Sequence, residues 1–234
     1  MDKETNNPIL PVAHEILSKG TIKSLQKLKL SINKSADQYF PEVVRMLVAV
    51  SHNKKLERFS LNIAEKALNF LEELSIEVEN QAGDYPKSSI KAHVWINGYA
   101  LWEWSDILPD FFEKKDLLSQ KVNVLLYKCR ITESIMSHYP ETIGPDMIAL
   151  GEALEKVNLY QDAIKYYRSI ILDFERIAVG FYENPEESLR EEDIISLNCL
   201  IKACTNVESL DAQSNYTEKI SSLEHLLNTR EKSD

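Results

Sequence analysis

The chain has 234 residues, 44% hydrophobic and 27% charged, which is the balance of an ordinary globular protein. Its formal net charge of −10 argues against general nucleic-acid binding, because an acidic body repels phosphates. No stretch reaches the ~20 consecutive apolar residues of a membrane span.

The charge is uneven, about +4 over residues 1–60, −4 over 61–139 and −10 over 140–234. The start, Met1-Asp2-Lys3-Glu4, carries acids where an export signal needs a basic and then an apolar run. Three cysteines, Cys129, Cys199 and Cys204, make an odd count, and the last two are offset on a helix, so they read as buried thiols in a reducing, cytoplasmic setting. Membrane attachment is not expected.

Six glycines and eight prolines punctuate the chain, and apolar residues recur at three- and four-residue spacing, so helix is the one regular structure expected. A short helix over Val12–Lys19 stops at Gly20, and Thr21 caps a second carrying Ile22, Leu25, Leu28 and Ile32. Residues 41–50 form a helix apolar nearly all round, which must lie centrally. A long helix over 54–80 places Phe59, Ile63, Ala67, Phe70, Leu71 and Leu74 on one face, with Glu65, Glu72, Glu73 and Glu79 mainly opposite. The stretch 81–87 reads as a loop. Ser88 caps a helix that holds all three tryptophans and is broken at Pro109. A further helix spans 115–138, and a short loop runs on to Pro145.

Residues 147–174 carry Met147, Leu150-Gly151, Leu154, Tyr160, Ala163, Tyr167 and Ile170. That order and spacing resembles one tetratricopeptide repeat, the 34-residue helix-turn-helix unit. The resemblance implies a close helix crossing at Gly151 and Ala163, with Leu150, Leu154, Tyr160 and Tyr167 filling the space beside it. Glu175 stands where the family has proline, and Ile177, Ala178 and Val179 continue the apolar pattern to Gly180, so the second helix should be overlong. Moved back by one repeat, the pattern puts Asp116-Leu117 in place of Leu-Gly; forward, 196–204 and 216–227 suggest helices without a Gly and Ala in register.

The fold expected is all-α: antiparallel helical hairpins stacked as a tetratricopeptide-like α-solenoid, with a non-repeating helical bundle as the alternative. One domain over 1–234 is expected, with a secondary boundary at 81–87 between 1–80 and 88–234. In the family, the first helix of each repeat lines the concave face, which implies a partner contact at Ile148, Glu152, Glu155 and Lys156.

For catalysis the chain offers little. None of the five histidines has a partner at metal-ligand spacing on one helix, and the six glycines stand apart, so no phosphate loop is formed. Paired acids such as Glu72-Glu73 and Glu191-Glu192-Asp193 point in different directions on a helix and suit a solvated face or a helix start. No metal or cofactor is expected.

Trp95, Tyr99 and Trp102 share a face at i, i+4 and i+7, as core or as an aromatic groove. The function expected is therefore a non-enzymatic adaptor that holds a protein or peptide, of basic character given the acids of 140–234. The alternative is a helical sensor domain with a small-molecule pocket around Trp95–Trp102.

Overall fold

A computed structural model describes residues 57–81, 107–136, 140–183 and 188–230. Every regular element among them is a helix and none is a strand. The long helices are α1 (Glu57–Gln81), α2 (Leu118–Met136), α3 (Pro140–Lys156), α4 (Tyr160–Glu183), α5 (Glu191–Leu210) and α6 (Thr217–Arg230). The helices expected before residue 57, the 82–104 segment and the 81–87 loop beyond Gln81 lie outside the described residues. The chain divides into two compact units, 1–124 and 125–234, and the division falls inside α2.

In the first unit, the expected Ala67 and Leu71 of α1 face inward. Ala64, Ala67, Leu68, Leu71 and Val78 are buried, and Glu65, Glu72, Glu73 and Glu79 are exposed. Residues 107–114 are helical with Pro109 in the first described turn, and Leu108, Phe111 and Phe112 are buried around it; the helix expected before Pro109 lies outside the described residues. Burial of such side chains contributes roughly 1.5–3 kcal/mol each.

The helix expected over 115–138 is preceded by a turn. Asp116 adopts a left-handed φ of 59°. Its N–H bonds the Glu113 carbonyl at 3.0 Å while Leu117 N–H bonds Phe112 O at 2.9 Å. These two bonds form a Schellman cap.

The second unit is built on α3. This helix packs on both α4 and α5, α4 packs on α5, and α5 carries α6. The loop expected before Pro145 is helical instead, since α3 begins at Pro140 and contains Pro145. Proline at the first helical position loses only an N–H that would have no intrahelical partner. Between α3 and α4 the Schellman cap recurs. Asn158 has φ 63°, its N–H bonds Glu155 O at 2.9 Å, and Leu159 N–H bonds Leu154 O at 2.9 Å.

Helix α4 is overlong, running past Glu175 and Gly180 to Glu183. Helix α5 begins at Glu191, where Asp193 fixes the entry. Its Oδ2 accepts from the backbone N–H and from Nε of Arg190, both at 3.0 Å. Glu191, Glu192 and Asp193 then occupy the first turn, opposing the helix dipole. Glu208 ties down the start of α6, its Oε1 accepting from Thr217 Oγ1 at 2.8 Å and from the Tyr216 N–H at 3.3 Å.

Candidate functional site

The face that α3 shares with its neighbours is shaped by two glycines. A Cβ placed on Gly151 would lie 2.5 Å from Tyr167 Cζ, so the tyrosine ring of α4 fits only because residue 151 has no side chain. A Cβ on Gly144 would lie 2.6 Å from Phe174 Cε2 and 3.1 Å from Cys199 Sγ. Gly144 thus seats α3 against α4 and α5 together. Ala163, Leu150, Leu154, Tyr167 and Ile170 are all buried, as a close crossing requires. Tyr160 is the exception. It is 45% exposed, because as the first residue of α4 it turns its hydroxyl to Asn158 Oδ1 at 2.7 Å.

The four residues expected to meet a partner do not share one environment. Ile148 is buried in the stack, so its apolar surface serves packing. Glu155 accepts from the Tyr167 hydroxyl at 2.5 Å. Burial pushes the Tyr167 hydroxyl above the usual tyrosine range and the bond to Glu155 adds to this, while Asn206 pulls the other way. Glu155 therefore holds the crossing in register. Glu152 is half-exposed and pairs with Lys202 of α5 at 2.5 Å, and Lys156 is exposed.

The pair joins α3 to α5 on one side of the second unit. Around it lie Ala149 and Lys156 on α3 and, at helical spacing from Lys202, Asn198 and Ile195 on α5; Ile195 is 37% exposed. Lys202, Asn198 and Ile195 are absent from the sequence-based set, since nothing in the sequence fixes which face of α5 meets α3. The strip carries both signs of charge.

Behind it, Asp146 is held from α2. Lys128 Nζ lies 2.9 Å from Oδ1 and Thr132 Oγ1 donates to Oδ2 at 3.5 Å. Burial also pushes the Cys199 and Cys204 thiols up to about 11, and raises Cys129. All three are buried and unbridged.

Trp95, Tyr99 and Trp102 lie outside the described residues. Among the described residues no three His, Cys, Asp or Glu side chains converge as a metal site, and no helix is long and apolar enough to cross a membrane. Compared with family models, with curated proteins and with solved structures, the chain matches none.

Proposed function

We propose that residues 140–230 form a tetratricopeptide-like protein-binding module, and that the chain holds a partner along the α3–α5 strip rather than converting a substrate. The observation that carries this reading is the packing of α3 on both α4 and α5, with Gly151 under Tyr167. A first helix that touches its own hairpin partner and also the next first helix is what stacking of successive hairpins requires.

The turn after α3 has a counterpart 42 positions earlier, a spacing that supports helical hairpins in general and is longer than the 34 residues of a tetratricopeptide unit. The segment Phe112-Glu113-Lys114-Lys115-Asp116-Leu117 closes with the same cap as Leu154-Glu155-Lys156-Val157-Asn158-Leu159, and the two sequences agree closely.

The 19 acids against 9 bases of 140–234 favour a basic partner at long range. At the strip itself Lys202 answers Glu152, so contact there rests on hydrogen bonds and on Ile195 as much as on charge. The test is affinity capture with the full chain followed by binding of the identified partner to Asn198→Arg, which alters an exposed position outside the core. Weakening by roughly tenfold with unchanged melting is expected; unchanged affinity moves the contact away from the strip.

A further inference from the structure

The outer face of α4 carries apolar side chains that the described residues leave exposed, with Lys219 of α6 reaching its edge at Glu175. Leu172 is 70% exposed, Val179 46% and Tyr182 48%, while Ile164, Tyr167, Ile170, Ile171, Phe174, Ala178 and Phe181 are buried on the other side. Leu172, Arg176 and Val179 follow one another at four and three residues, the spacing of a seam between two helices. Single exposed leucines are common on protein surfaces; a Leu and a Val two turns apart on one line, flanked by a tyrosine, form a face.

The charges on this face choose the occupant. Glu175 and Arg176 lie side by side midway between Leu172 and Val179. When a second α4 is laid antiparallel, about a two-fold axis between positions 175 and 176, Leu172 meets Val179 of the second copy. Ser169 meets Tyr182, and Arg176 meets Glu175, twice by symmetry. A parallel arrangement would set Arg176 against Arg176 and Glu175 against Glu175, which repel. The antiparallel arrangement also opposes the two helix dipoles.

We propose that this face joins two copies of the chain in an antiparallel, two-fold contact centred on Glu175 and Arg176. The contact is independent of the α3–α5 strip. One pair of 24-residue helices, each about 36 Å long, buries no more than about 1,200 Å², the range of transient contacts. The dimer is therefore concentration-dependent. Glu175 also meets Lys219 of its own chain, which holds the carboxylate at the edge of the seam.

The experiment is sedimentation of the full chain across a concentration series. Wild type is expected to show a reversible monomer–dimer equilibrium, and Leu172→Asp with Val179→Asp to weaken it by roughly tenfold or more. The register is tested by charge. Arg176→Glu alone and Glu175→Arg alone each place like charges across the axis and should favour monomers, whereas an equimolar mixture of the two variants restores opposite charges at both pairs and should recover the dimer as a heterodimer.

Circular dichroism of each variant checks that its helices persist. A wild type that stays monomeric throughout overturns the proposal and leaves the face to a partner of another kind. Dimerisation insensitive to the Asp variants, or a mixture no more associated than its components, overturns the interface or its register.

Discussion

The ring of Tyr167 lies across Gly151 so closely that a Cβ at residue 151 would stand 2.5 Å from Cζ. The ring is fully buried and its hydroxyl is bonded to Glu155 at 2.5 Å, so it is not free to swing aside. Gly151→Ala is expected to cost about 1–3 kcal/mol through overpacking, read as a lower urea midpoint. Trimming the ring in a Gly151→Ala, Tyr167→Leu double variant should recover part of the Gly151→Ala penalty, with a coupling of at least about 0.5 kcal/mol. Strict additivity would separate the two residues.

Gly180 is the internal contrast. It lies in α4, and a Cβ there meets nothing within 4 Å. With space open and a helical backbone, Gly180→Ala should stabilise by about 0.5–1 kcal/mol, since alanine loses less chain entropy on folding. A lower melting temperature in that variant would show that residue 180 has a tight neighbour after all.

The thiols give a pH signature. Burial pushes Cys199 and Cys204 up to about 11, from an ordinary 9.0. The unfolded chain releases these protons first, so folding stability should fall as pH rises through 9 toward 11. Near neutral pH a thiol reagent should modify Cys129, Cys199 and Cys204 only after denaturant is added, and rapid labelling of the native protein would contradict their burial.

The left-handed cap at Asp116 sets a steric limit. With φ at 59°, Asp116→Val should cost about 1–2 kcal/mol, because a β-branched side chain crowds the backbone there. Asp116→Gly should be tolerated. Equal melting temperatures for the two variants would mean that the turn relaxes.

The helical spacing made the all-helical class legible, and the Leu150-Gly151 pair pointed to the close approach of α3 and α4. What the sequence hid has physical causes. Asp116 and Asn158 look like ordinary surface residues until the turn sets a positive φ, so the helix expected from 115 starts inside the cap. The similar cap at Leu154 stands 42 positions after Phe112, eight more than the 34 of the repeat. Ile148 lies one turn from Glu152 and falls on the expected binding face by spacing alone. Only its packing within the second unit reveals that it is buried. The sequence gives no register between α3 and α5, so Lys202 could not be matched to Glu152.

Two ties in the second unit each skip a helix. Glu152 of α3 reaches Lys202 of α5, and Glu175 of α4 reaches Lys219 of α6, 44 positions later. Exposed pairs of this kind add little to stability, but each joins a helix to one made later in the chain. While the chain is emerging from the ribosome, Glu152 has no Lys202 to meet until most of α5 has been made, and Glu175 waits for the start of α6. Both acids thus belong to the α3–α4 hairpin and both lysines to helices that follow it, so each tie links the hairpin to a later helix.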